Sequence, residues 1–261
     1  MNFLFSTIAV AGALFLLMLT FKNIGINMLL NTNALILILG GSLISLFIAF
    51  PANRLKDTVV DIFESFKNKR DKNELIKDIV DIAKIYRSAN MRKLEEKTIN
   101  INDRFLRLGI TLLLNHSKSN EIRDILEREA SLRIAQYNLS QNIIRTVARL
   151  APSLGLAGTV ISLVSMFNNF QSVDSIAPMM SVALMSTFYG VIISNVFALP
   201  LSAKMKEKAI LSEILMSITI EGIIAVYNME HPLKIEDRLS GHSETVKVYH
   251  SEVKIPLTNS I

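Results

Sequence analysis

Residues 147–167, VARLAPSLGLAGTVISLVSMF, and residues 179–203, MMSVALMSTFYGVIISNVFALPLSA, decide how this chain folds. Each is long enough to cross a bilayer as a helix, since roughly 20 residues at ~1.5 Å rise span the ~30 Å hydrocarbon core. Neither holds an acidic residue. Each carries a threonine deep in the apolar run, Thr159 and Thr187, and a proline near one end, Pro152 and Pro200. A pair of apolar helices with placed hydroxyls and prolines reads as the wall of a pathway for something small and polar.

Outward from this pair, residues 3–21 and 34–50 are also apolar, and the whole chain has a mean hydropathy of +0.38. The segment 34–50 is the shortest, but Asn33 and Pro51 suit the two interfaces. The expectation is four transmembrane helices. The first window lacks a basic start and a small-residue cleavage site before Lys22, so it reads as a retained helix. No cysteine is present, which removes disulfide and thiolate–metal chemistry.

Of the 28 Lys and Arg, only Lys22 falls in the connectors 22–33 and 168–178. The positive-inside rule therefore puts the middle segment, the C-terminal region and both termini in the cytoplasm. The net charge of +5 mostly reflects that bias, and the basic residues of 51–149 are interleaved with acidic ones, so no nucleic-acid partner is expected.

The layout expected is all-α. Residues 1–50 hold spans one and two, 51–146 a cytoplasmic helical domain, 147–203 spans three and four, 204–240 a cytoplasmic helix and 241–261 a disordered tail. Within the middle segment, Leu55, Val59, Val60, Ile62, Phe63 and Phe66 keep helical spacing, as do Leu75, Ile76, Ile79, Ile82, Ala83 and Tyr86. Both stripes read as core packing between helices. Asn73 is the expected N-cap of the second. A third short helix is expected around residues 105–113, and a long one opening at Ser119-Asn120 runs straight into span three. The helix after span four is expected to end at His231-Pro232.

The four histidines stand in no metal-ligand spacing, and no HExxH, GxSxG or phosphate-binding glycine loop occurs. The spans offer hydroxyls but no His, Lys, Asp or Glu to activate them, so no catalytic residue, no metal and no enzyme is expected. The same absence bears on transport. A cation in hydrocarbon needs a counter-charge or several oxygen ligands, so an ion-conducting chain of this kind must borrow its carboxylate from a partner helix. The plainer reading of Thr159 and Thr187 is a bond to their own i−4 carbonyls or to a neighbouring helix. Small residues at 40–42, 155–158 and at Ala183, Ser186 and Gly190 suit close helix packing, most naturally against another subunit or partner.

Residues 149–160, RLAPSLGLAGTV, resemble the third-span motif of the MotA/TolQ/ExbB ion-channel superfamily. ALMSTFYGVIISN at 183–195, followed by Leu199-Pro200-Leu201, resembles the fourth-span motif. ILILGGS at 36–42, and Arg87 followed by Leu94-Glu95-Glu96, look like the MotA/PomA branch, which four spans also favour. The resemblance covers about residues 1–240. It implies a homo-oligomeric ring, a pentamer, around a MotB-like single-span partner that carries the ion-binding aspartate. The ring turns in the bacterial inner membrane and pushes the flagellar rotor protein FliG. It further implies an ion pathway at Thr159 and Thr187, conformational coupling at Pro152 and Pro200, and rotor contact at Arg87 and Glu95. No cofactor is implied. The coupling ion is sodium or proton, with threonine at 159 leaning to sodium. The rival readings are an ExbB/TolQ-like energiser of another envelope process and a non-conducting membrane scaffold. Outside the resemblance, Arg87 and Glu95 read as solvated helix charges, Pro152 as a first-turn proline and Pro200 as a kink at the membrane edge.

Overall fold

A computed structural model describes residues 32–67, 70–168 and 176–241. The expected first span and the tail beyond 241 lie outside them. The described residues are helical, with no strand: α1 (Thr32–Ala49), α2 (Ala52–Ser65), α3 (Lys72–Arg87), α4 (Met91–Asn100), α5 (Arg104–Leu114), α6 (Ser119–Asn168) and α7 (Ile176–Ile192). A π-helical segment, Ile193–Ala198, joins α7 to α8 (Leu199–Tyr227), and α9 covers 232–241. Two compact units divide the chain. One comprises the described parts of 1–56 and 142–202, the other those of 57–141 and 203–261.

Two stretches are long and apolar enough to cross a membrane, Ser119–Asn168 and Met179–Tyr227, and Ala34–Ala49 reaches that standard only if counted together with Ala52–Ser65. The break between those two falls at Phe50-Pro51, because a proline biases the residue before it away from helix. Among the described residues, then, two spans are evident and three are the most that can be counted. The helix expected to open at Ser119-Asn120 and the apolar stretch 147–167 are one element: α6 runs for 50 residues with Pro152 inside it.

The second unit has a conventional core. Leu75, Ile79 and Ile82 of α3, Leu94 of α4, Leu106, Ile110 and Leu113 of α5, Ile122 and Leu126 of α6, Ile218 and Ile223 of α8, and Ile235 and Leu239 of α9 form one buried cluster. Periodicity identified the α3 stripe correctly, and the third short helix expected around 105–113 is α5. Helix starts differ in detail. Asp71, not Asn73, precedes α3, while Asn90 and Asp103 cap α4 and α5 by accepting backbone N–H bonds. Pro232 does not merely end the preceding helix; it opens α9, since a first-turn proline gives up no helical bond. The chain turns between them through Met229 at φ 57°.

The α2 stripe corrects the sequence reading. Val59, Val60, Phe63 and Phe66 are more than half exposed, while Thr58, Asp61 and Ser65 are buried. The spacing is helical as expected, but the polar face turns inward. It does so because its groups are bonded there. Ser140 donates to Asp61 Oδ2 at 2.6 Å, Gln136 to Oδ1 at 3.4 Å, and Thr58 to Ser140 Oγ at 3.3 Å. A carboxylate taken out of water needs such donors.

Candidate functional site

In the first unit, α6 and α7 touch backbone to backbone. A Cβ added at Gly155 would stand 2.8 Å from the Ser186 carbonyl oxygen, and one at Gly190 would stand 2.6 Å from that of Ala151. Neither obstacle is a side chain that could swing aside. Gly158 faces Ser186 and Leu37 at 3.0 Å, and Ala183 and Ser186 are buried beside it. The small-residue faces at 155–158 and 183–190 are thus consumed by packing within one chain, contrary to the expectation that another subunit or partner takes them up. Gly41 packs on Leu154 of α6, whereas Gly40 has open space around it.

This closeness brings the two threonines together. The Thr159 and Thr187 hydroxyl oxygens lie 2.5 Å apart, and Thr159 Oγ1 also reaches the Ala183 carbonyl across the interface at 3.1 Å and its own Gly155 carbonyl at 3.2 Å. A hydroxyl has one proton to give. If Thr159 gives its proton to a carbonyl, Thr187 must donate to Thr159, and a lone pair on Thr187 is left to accept. Both side chains are half-buried. Backbone bonding and the cross-helix contact, which were alternatives in sequence, are both present at Thr159.

Pro152 sits inside α6, not in a first turn. With no N–H, it leaves the Ala148 carbonyl four residues earlier without its helical donor. Ser194, from the π-helical segment, donates to that oxygen at 2.7 Å, and both residues are buried. Pro200 follows the same segment, where the Leu199 N–H reaches back five residues to the Ser194 carbonyl. A widened turn is one of the standard ways a helix accommodates a proline ring that would otherwise strike the carbonyl four residues back. Pro200 itself is exposed.

The charged residues singled out for the rotor lie in the second unit. Arg87, in the last turn of α3, is exposed and donates to the Met229 carbonyl at 3.5 Å. On α4, Glu96 is 3.6 Å from Arg92, while Glu95 is exposed and forms no ion pair among the described residues. Nearby, Lys84 and Lys97 both bond Asp81. Partial burial raises the Asp81 carboxyl, but the two ammonium groups outweigh it and hold the group below the ordinary carboxylate value. A lowered pKa adds stability above the unfolded value and loses it as pH falls through the folded one. Asp81→Asn is therefore expected to narrow the difference in melting temperature between pH 7 and pH 3, measured by circular dichroism.

Sequence reading missed the buried Asp61 cluster and Tyr137 beside it. Burial pushes the Tyr137 phenol up, and the Glu64 and Asp61 carboxylates push it further. The Lys208 ammonium lies 4.7 Å from the Tyr137 ring centre and 3.4 Å from Glu64. The signal was present in the recurrence of Thr58, Asp61 and Ser65 on one arc, opposite the arc taken for core. Among the described residues, no group of three or more His, Cys, Asp or Glu is placed to hold a metal.

Two apolar stretches without a carboxylate, 147–167 and 179–203, thus meet through hydroxyls and glycines, and the described residues around them are helical. Residues 97–216 of the chain match the MotA/TolQ/ExbB proton channel family. It is similar to chemotaxis protein PomA of Vibrio alginolyticus, 26% identical over 89% of this chain and 92% of the relative. It is also similar to motility protein A of Aquifex aeolicus, 29% identical over 84% and 89%. The flagellar MotAB stator complex from Bacillus subtilis includes a chain of the same fold, with a TM-score of 0.77 at 25% identity, covering 94% of this chain and 98% of that one.

Proposed function

We infer that this chain is a MotA-type stator subunit of an ion-driven rotary motor. The observation that carries the reading is the Thr159–Thr187 hydroxyl pair, held by backbone contact between two apolar stretches, 147–167 and 179–203, that contain no carboxylate. Such a pair ligates or hydrates a passing cation only when a neighbour adds the negative charge. The MotAB stator complex that holds the similar chain supports a MotB-like partner and an oligomeric assembly, and a single-span partner of that kind is proposed to add the charge. A ring of five, an aspartate on the partner, and force delivered to FliG through Arg87 and Glu95 complete the proposal. Glu95 is preferred to Glu96 because Glu96 already faces Arg92. Pro152 and Pro200 are the proposed points of conformational coupling.

The layout proposed is four spans in the bacterial inner membrane with both termini cytoplasmic. Exposed apolar side chains on α1, α6 and α7, such as Ile48, Phe167 and Leu184, suit a lipid environment. We read the chain as conducting and not enzymatic, with no cofactor. Sodium is the proposed coupling ion because Thr159 supplies an oxygen. Swimming speed is expected to rise with sodium at fixed pH, and a speed independent of sodium would assign the proton instead.

The reading is tested by Thr187→Ala and Pro152→Ala in the complex with the partner. Each is expected to reduce ion-driven rotation at least tenfold, and unchanged motility in both would sink the channel reading. Arg87→Glu is expected to cut torque severalfold while leaving the melting temperature within about 1–2 °C, because exposed substitutions seldom exceed ±0.5 kcal/mol. Loss of membrane assembly in that variant would make Arg87 structural.

A further inference from the structure

We propose that Ser194 is a positioning residue that ties the Pro152 break in α6 to the widened turn before Pro200. This deepens the stator reading and rests on it for its functional half. Ser45, Ser153 and Ser186 bond the carbonyls four residues back on their own helices, as membrane serines ordinarily do. Ser194 instead sends its one proton across to Ala148, the carbonyl that Pro152 deprives of a donor. Both groups are 4% exposed, so water is not a ready substitute. The same residue's own carbonyl takes the Leu199 N–H in the register shifted by one.

Ser194 thus fills the gap of Pro152 with its side chain, and its carbonyl closes the widened turn directly before Pro200. A change of helix register at either proline alters the geometry at Ser194 and is felt at the other. Gly190 reinforces the joint one turn earlier, because its Cα faces the Pro152 Cα with no side chain between them. The hydroxyl that fills the gap therefore sets how α6 and α7 sit around the threonine pair.

The proposal makes a specific demand. In Pro152→Ala the backbone N–H returns to Ala148, and Ser194 loses its task. Ser194→Ala is expected to lower the melting temperature of the full-length protein in detergent by about 3 °C or more, and by less than about 1 °C in a Pro152→Ala background. Ser194→Thr, which keeps the hydroxyl, is expected to recover most of the loss. An equal loss in both backgrounds, or no recovery with threonine, would overturn the joint. For the functional half, ion flux per assembled complex with the partner is read in proteoliposomes. Ser194→Ala is expected to reduce it at least fivefold, and Ser194→Thr to restore it. Wild-type flux in Ser194→Ala would overturn the positioning role. If the wild-type complex itself passes no ions, the stator reading fails, and the melting cycle still decides the joint.

Discussion

A chain carrying Gly190→Val is expected to lose ion flux entirely and to melt well below the wild type. The Cβ alone would come within 2.6 Å of the Ala151 carbonyl oxygen, a distance that real Cβ contacts do not show. The obstacle is backbone in the middle of a helix, so relief requires α6 and α7 to part. Overpacking that forces backbone shifts costs about 1–3 kcal/mol, and a rigid backbone obstacle puts valine at about 3 kcal/mol or more. Gly190→Ala is expected to be milder but still below wild type. Melting temperature of the detergent-purified protein and flux in proteoliposomes measure both effects. A valine variant with wild-type melting would show that the two helices do not meet there.

The second large effect separates structure from transport. Thr187→Val removes one hydroxyl of the 2.5 Å pair and leaves Thr159 to its carbonyls. The apolar replacement of a bonded partner costs about 1–3 kcal/mol where a polar group is left unmatched. Flux is expected to fall tenfold or more, because the proposed pathway loses one of its two placed hydroxyls. In Thr159→Val/Thr187→Val both partners become apolar at nearly constant volume. Stability is then expected to return close to the wild type, since replacing both partners is nearly neutral, while flux stays lost. Flux that recovers along with stability would reduce the pair to packing.

Much of this was legible in the residues. The length and apolarity of 147–167 and 179–203 announced two membrane-length helices, and the lack of a carboxylate in them is what raised the expectation of a partner. The stripe of α3 reads correctly, because Leu75, Ile79 and Ile82 face a protein core against water. The α2 stripe has equally clear spacing, yet Val59, Val60, Phe63 and Phe66 face away from the protein core. Periodicity separates two faces of a helix. It does not say which face meets protein when the polar face finds bonded partners, as Asp61 does in Ser140 and Gln136.

What the sequence determined by itself was therefore local: helical period, span length, the hydroxyls and their depth, and two backbone donors missing at Pro152 and Pro200. Only the tertiary structure decided who answers those features. Gly155 and Gly190 meet each other's helix within the same chain, and Ser194 fills the carbonyl that Pro152 leaves open. Both are contacts between positions about 35 to 46 residues apart, set by how α6 and α7 lie against each other. A missing hydrogen bond or side chain is written in the chain as an absence, and the group that occupies it is chosen only by close approach.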